Sequence, residues 1–273
     1  MNDTSGKAPS FDFSKEGPVH YDDFLGPLFF EPYAIEVAKR IDPATVSVAL
    51  EIAAGTGRVT RHIFESIPAS ATLIASDIST EMLDEAKRKL SHLPIDWKTI
   101  DAQELPFSDN SIDLVVCCFG YMFVPDKRKA FAEAYRVLKK GGLFLFTTWD
   151  KLEHNALSYI SRLLAESYMN GTFPESYNLA VSMYDETVIK ELIEEAGFSK
   201  INIEKSTQFS VCATAREAAT GMVDGGFIFK EIRQNNPEWI DEIKLALEKE
   251  LSDKFGAAPM IAPISALINQ AWK

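Results

Sequence analysis

The sequence predicts an α/β fold, a mostly parallel sheet of seven strands with helices on both faces. Three observations carry this. Short apolar, β-branched runs alternate with helical stretches between residues 45 and 150, the rhythm of strand–helix–strand units in a parallel sheet. The first run closes on Gly55-Thr56-Gly57, a tight strand-to-helix turn. Polar residues that stand out from their surroundings, Glu51, Asp77 and Asp101, fall at the ends of successive strands, the edge where open parallel sheets bind ligands.

Taken in order, residues 1–18 are polar and rich in Ser, Pro and Gly, with Phe11 and Phe13 the only large apolar side chains. They are expected to form a flexible tail, and residues 19–273 a single domain. Pro32 suits a first helical position, so a helix is placed from there to Arg40. Thr45–Ala53 is a buried strand, Arg58–Ser66 a helix and Thr72–Ser76 a second strand. Ser79 is a side-chain cap for a helix running to Leu90. Ile95–Ile100 and Ile112–Phe119 are strands three and four. The helix Lys127–Leu138 is expected to stop on Lys139-Lys140-Gly141-Gly142, basic residues and glycine suiting a helix C-terminus. Leu143–Thr148 is strand five. Beyond Asp150 the rhythm changes. Thr187–Ala196 is helical, Ile201–Val211 and Met260–Trp272 are the last strands, and two insertions, about 151–183 and 213–255, are read as a helical lid. In the second, Ile240, Ile243, Leu247 and Leu251 form one apolar helical stripe.

Charge and composition narrow the function. The chain has 273 residues, 46% apolar, with a formal charge of −12. Duplex nucleic acids are bound through Lys and Arg contacts to phosphate, so no nucleic-acid partner is expected. No apolar run approaches the ~18 residues of a membrane span, and the N-terminus lacks a signal-peptide pattern. A cytoplasmic protein without a membrane partner is expected, as monomer or homodimer. Cys117 and Cys118 are adjacent on a strand and point to opposite faces. With Cys212 they make no metal-ligand spacing, so no metal site is expected.

At the strand ends each residue type suits a task. Gly55 and Gly57 let the backbone turn sharply and admit a ligand close to the main chain. Asp77 can accept two hydrogen bonds from vicinal hydroxyls such as those of a ribose, and Asp101 can accept from an exocyclic amino group. Ile78 and the adaptable Met82 can sandwich a flat ring.

Four segments in this order, LEIAAGTGRVT, SDISTEML, TIDAQELPFSDNSIDLVV and RVLKKGGLFLFTTW, resemble the successive motifs of class I, Rossmann-like methyltransferases, closest to the ubiquinone/menaquinone-type and "type 11" groups. The resemblance covers residues 45–150 strongly and the rest weakly. It implies S-adenosylmethionine as cofactor, S-adenosylhomocysteine as product, and in-line transfer of the sulfonium methyl to a small-molecule acceptor. It also implies that Glu51, Ala53, Ala54, Gly55 and Gly57 hold the methionine end. Asp77 would bind the ribose hydroxyls, Ile78 and Met82 would pack on adenine, Asp101 and Ala102 would meet its amino edge, and Phe119 would lie beside the methionine. Ala53 departs from the family's usual glycine; alanine there is expected to keep a negative φ and shift the loop slightly.

Orientation of the two reactants can supply ~7–11 kcal/mol of the barrier, and a general base is required only for an acceptor that must lose a proton. The catalytic candidates are His20 and Tyr21 in the N-terminal segment, Tyr121 after strand four and His154 after strand five. Tyr159, Tyr168, Phe173, Tyr177, Phe227 and Phe229 give the insertions an aromatic character suited to a partly apolar acceptor. Two alternatives are weighed. A nicotinamide-dependent oxidoreductase wants a third glycine where this chain has Thr60, and the intact cofactor motifs argue against a non-catalytic S-adenosylmethionine-binding protein that keeps the fold as a regulator or partner subunit.

Overall fold

The computed structural model describes residues 17–169 and 175–273, with the side chains of 175–177 excepted. Residues 1–16, including Phe11 and Phe13, and Phe173 and the Tyr177 ring in the first insertion, lie outside the described residues.

The chain enters through α1 (Gly17–His20), a π-helical stretch (Tyr21–Phe30) and α2 (Glu31–Ala38). Helix therefore begins well ahead of the expected Pro32. The π-helical stretch contains Pro27, which has no N–H to donate. Tertiary burial overrides the local signal: Leu25, Phe29, Tyr33 and Val37, four residues apart, are all buried on one face. The alternating core follows: β1 (Val48–Ile52), α3 (Arg58–Ser66), β2 (Thr72–Asp77), α4 (Thr80–Lys89), β3 (Asp96–Thr99), β4 (Ile112–Cys118), α5 (Lys127–Val137) and β5 (Leu138–Trp149). Ser79 caps α4 through its hydroxyl, which accepts from Met82 N at 3.2 Å. The Lys139–Gly142 run does not stop α5. The strand has already begun at Leu138, paired with Ile112, and a register shift follows before Leu114 meets Leu143. The positive φ of Gly141 serves that irregularity rather than a helix cap.

The second half contains α6 (Ala156–Tyr168), α7 (Glu175–Ala180), α8 (Glu186–Ala196), β6 (Lys200–Cys212), α9 (Ala215–Gly225), α10 (Lys230–Asn235), α11 (Ile240–Phe255) and β7 (Met260–Trp272). On α11 the predicted stripe is buried at Ile243, Leu247 and Leu251. The sheet has seven strands in the order β3-β2-β1-β4-β5-β7-β6. β7 is antiparallel to both neighbours, and the pairs among β1–β5 are parallel. Phe131 of α5 packs edge-on against Phe144 and Phe146, so α5 covers the face those rings occupy, with α8 against it. Trp149 has the opposite parity and meets Tyr33 of α2 on the other face.

Two features place the site. Strand order reverses between β1 and its neighbours β2 and β4, which makes the carboxyl ends of β1 and β4 a switch point. Met260–Ser265 of β7 lie beyond its last partner in β5, since Ala266 pairs with Trp149, and there they pair with β6 alone. At ~3.4 Å per residue the ribbon stands about 20 Å above that edge. The π-helical stretch and α9 pack together beside it. Tyr33 Oη fastens α2 to the ribbon, 2.9 Å from both the Ser206 and Ile264 carbonyl oxygens.

Candidate active site

Backbone strain marks the switch point. Ala53 (φ 57°), Gly55 (56°), Gly57 (81°) and Phe119 (56°) all lie in the left-handed region, which L-residues other than glycine adopt at a cost of roughly 1–2 kcal/mol. The negative φ expected for Ala53 is thus incorrect: alanine takes the conformation that glycine would take freely. The chain just after β4 packs closely against it. A Cβ on Gly120 would stand 2.4 Å from Ala53 Cβ and 2.7 Å from Cys117 Sγ, so the bare Gly120 backbone lets the two loops touch. Above Gly55 the space is open, with nothing within 4 Å of where a Cβ would project.

Asp77 organises this loop. Its Oδ2 accepts from Gly55 N at 2.8 Å and its Oδ1 from Ser79 N at 2.9 Å. One lone pair on each oxygen remains for a ligand. Burial pushes its carboxyl up, and the backbone amides of Ser79, Gly55 and Ile78 partly offset this. Ile78, next in sequence, is 68% exposed, a bare apolar side chain beside the carboxylate. Met82 is buried one turn into α4.

Glu51 is 1% exposed. Burial pushes its carboxyl up to about 8, the Thr60 hydroxyl opposing and the Asp77 charge adding to the rise. Its Oε2 has no hydrogen-bond partner among the described residues, and neither has Thr60 Oγ1. An unpartnered buried carboxyl oxygen is expensive, and at the strand end that leads into an open glycine loop it is an acceptor that a ligand's ammonium group would satisfy. Ala54 N is bound to Ser76 O at 2.9 Å, and Ser76 Oγ to Glu51 O at 2.8 Å, which locks β1 to β2 at this level. Asp101 is half-buried and already holds Gln103: its Oδ1 accepts Gln103 N at 2.8 Å, and both oxygens lie 3.1 Å from Gln103 Nε2. Ala102 is buried behind it.

An aromatic cluster closes the side toward β5. Phe119 stacks on Trp149 with centroids 3.9 Å apart. Phe30 meets Phe119 at 5.7 Å, and Tyr33 meets it at 5.5 Å. Tyr21 stacks on Phe30 at 5.3 Å and reaches Phe227 of the second insertion at 5.9 Å.

The four catalytic candidates separate. Tyr21 joins this cluster; burial and the Asp77 and Asp22 carboxylates push its phenol well above the usual range. Tyr121 does not reach the mouth: it is fully buried between Phe131, Phe144 and Phe146, inside the sheet core. His154 Nδ1 sits 2.8 Å from Asp150 Oδ2, a carboxylate also met by Ser265 Oγ and Lys205 Nζ, so its ties are to the β6–β7 ribbon. His20 is exposed on α1 against Phe24. Most lid rings also serve packing. Phe229 is fully buried, Tyr168 pairs with Trp239 and Glu242 on the surface, and Tyr159 is exposed; Phe227 alone of the described ones reaches the Tyr21 cluster.

Sequence reasoning missed Asp22, Gln103 and the hydroxyl of Thr60. Asp22 sits ahead of the first expected helix, and only the fold brings it to the glycine loop. For Thr60 a signal existed: it occupies the place where a dinucleotide-binding loop needs glycine for close packing. Its buried side chain fills that place and disfavours the oxidoreductase reading.

Comparison with known proteins gives the family and the fold. A methyltransferase-domain family matches residues 50–146. The ubiquinone/menaquinone biosynthesis C-methyltransferase UbiE of Pseudoalteromonas translucida is 33% identical over 172 residues, 58% of this chain and 68% of the relative. The UbiE of Desulfotalea psychrophila is 43% identical over 108 residues, 39% of this chain and 42% of that one. The Haemonchus contortus phosphoethanolamine N-methyltransferase 2, solved with S-adenosyl-L-methionine, shares the fold with a TM-score of 0.59 at 20% identity, over 97% of this chain and 58% of its own. The chain belongs to the class I S-adenosylmethionine-dependent methyltransferases. Within that class its sequence similarity is to the ubiquinone/menaquinone C-methyltransferases, and S-adenosylmethionine is its methyl donor. No helix among the described residues is long and apolar enough to cross a membrane.

Proposed function

We propose that the cradle formed by Glu51, the Ala53–Gly57 loop and Asp77 holds S-adenosylmethionine, and that the acceptor is a small, largely apolar molecule admitted against the aromatic cluster. The observation that carries this is the buried Glu51 Oε2, unpartnered on the strand that runs into the open Gly55 loop and next to the strand that ends in Asp77. Glu51 takes the donor's ammonium group, and Asp77 takes the ribose hydroxyls on the lone pairs its backbone amides leave free. Ile78 offers adenine an exposed apolar face. Asp101 and Ala102 border the adenine edge, with Gln103 orienting the carboxylate. Phe119, held at positive φ, sets the wall beside the methionine.

When bound, the donor supplies a methyl group already activated on a sulfonium. The residues of this chain therefore act mainly by orientation and by excluding water. The faces of Phe119 and Trp149 steady positive charge, and the absence of bound water would strengthen every charge interaction in the site. Tyr21, its phenol held protonated, donates a hydrogen bond at neutral pH rather than removing a proton. α9–α11 and α6 form the lid over the acceptor side, in one domain with the sheet. The aromatic lining favours an apolar ring or chain over an anionic acceptor, in keeping with the similarity to quinone-pathway enzymes.

Calorimetric titration with S-adenosylmethionine and S-adenosylhomocysteine tests the reading. Micromolar binding by the wild type, lost in Asp77→Ala with the fold retained by circular dichroism, supports it. Absence of binding by the wild type overturns it.

A further inference from the structure

Asp22 is a buried carboxylate that the cofactor cradle itself does not require. It is 4% exposed, on the π-helical stretch, and its partners come from three other places around the cradle. Thr56 Oγ1, inside the glycine loop, donates to Asp22 Oδ1 at 2.7 Å. Arg58, the first residue of α3, reaches Asp22 Oδ1 at 3.2 Å and donates to the Asp22 carbonyl at 2.9 Å. Lys89, at the end of α4, pairs with Asp22 Oδ2 and also lies 3.3 Å from the Thr56 carbonyl. A second ion cluster extends the same seam: Glu31 binds Arg58 and Arg61 at 2.8 Å and His62 at 2.9 Å. One residue before Asp22, Tyr21 reaches over the site to Phe30 and Phe227.

We propose that Asp22 is a positioning residue that latches the N-terminal helix to the glycine loop, and so governs entry and release of the methyl donor. This rests on the reading of the Ala53–Gly57 loop as the donor's cradle. The physical ground is that a buried carboxylate shared by a hydroxyl, a guanidinium and an ammonium is costly to separate, and here it joins the segment that covers the cradle to the loop that forms it. Residues 17–24 can loosen without disturbing the sheet, because the core anchors lie further along, at Leu25, Phe29 and Tyr33, and the ties to the loop run through the side chains of Thr56, Arg58 and Lys89. The latched form is the closed one, with Tyr21 over the site, so release waits on opening.

The test is stopped-flow binding of S-adenosylhomocysteine to the full chain, together with hydrogen exchange of residues 17–24. Asp22→Asn keeps the shape and removes the charge. Lys89→Met breaks the same latch from α4 and keeps the experiment informative if the first variant folds poorly. The latch predicts a release rate at least tenfold faster, an association rate equal or faster, and quicker exchange in 17–24 with the sheet unchanged. Asp22→Glu should recover part of the slow release. A defect that is merely structural lowers the association rate, and that result would overturn the latch, as would release within twofold of the wild type. If the wild type binds no S-adenosylhomocysteine, the cradle reading fails and the latch with it; a wild type that binds while the variants release normally removes the latch alone.

Discussion

Replacing Glu51 with Gln probes the most unusual group in the site. The Glu51 carboxyl is held up to about 8 by burial, against 4.5 in an exposed chain. In the unfolded protein it ionises near 4.5; in the folded, unliganded protein it keeps its proton until about pH 8. Below pH 4.5 both states are protonated and the group adds no pH dependence. Between 4.5 and 8 the folded state holds the extra proton, so folding stability falls as pH rises. The interval is about 3.5 units, which at ~1.36 kcal/mol per unit is on the order of 5 kcal/mol. Gln carries no proton to lose, so Glu51→Gln should gain several kcal/mol relative to the wild type between pH 5 and pH 8. Urea unfolding of both proteins at these two pH values measures the difference. Many other carboxylates titrate, among them Asp22, Glu31, Glu133 and Asp150, whose ionised forms are favoured by their partners; comparing the two proteins cancels them. The cofactor provides a second readout. An ammonium group bound by Glu51 requires the carboxylate, so donor binding by the wild type at pH 7 should release close to one proton, seen by calorimetry in buffers of different ionisation enthalpy, and binding by Glu51→Gln should release none. Superimposable pH–stability curves for the two proteins would refute the reasoning.

Further outcomes follow from the strained loops and the ribbon. Ala53→Gly removes the cost of the left-handed φ and should stabilise the protein by up to about 1 kcal/mol in urea unfolding while keeping donor affinity. Gly120→Ala drives a methyl group into Ala53 and Cys117; it should cost about 1–3 kcal/mol and weaken S-adenosylhomocysteine binding in the same calorimetric titration, by displacing the Ala53–Gly57 loop. Tyr33→Phe leaves the Ser206 and Ile264 carbonyls without their shared hydroxyl and should lower stability by about 1–3 kcal/mol, with faster hydrogen exchange at the upper end of β6 and β7.

The sheet was legible because its signals are local. β1, β2, β4 and β7 are apolar runs whose length and neighbours identify them, and Ser79 caps α4 through the side chain its position suggested. The strand-end rule then put Glu51, Asp77 and Phe119 on one edge, and the fold brings them there. What escaped depends on contacts distant in sequence. The helix over 17–31 carries Gly26 and Pro27 and forms because Leu25, Phe29 and Tyr33 find a core to enter. Asp22 meets Thr56, Arg58 and Lys89 across 34 to 67 residues. Tyr121 looked like a residue at the mouth because it follows β4, yet the turn after Gly120 directs its ring into the core. The left-handed Ala53 could not be read from an alanine, and its close neighbour Gly120 is distant in sequence.

A crystal structure of the S-adenosylhomocysteine complex tests the central claim most directly. The account predicts the ribose hydroxyls within hydrogen-bond distance of the Asp77 carboxylate and the ligand's amino group on Glu51 Oε2. Ligand bound away from the β1–β4 switch point, with Glu51 Oε2 still unpartnered, would contradict it.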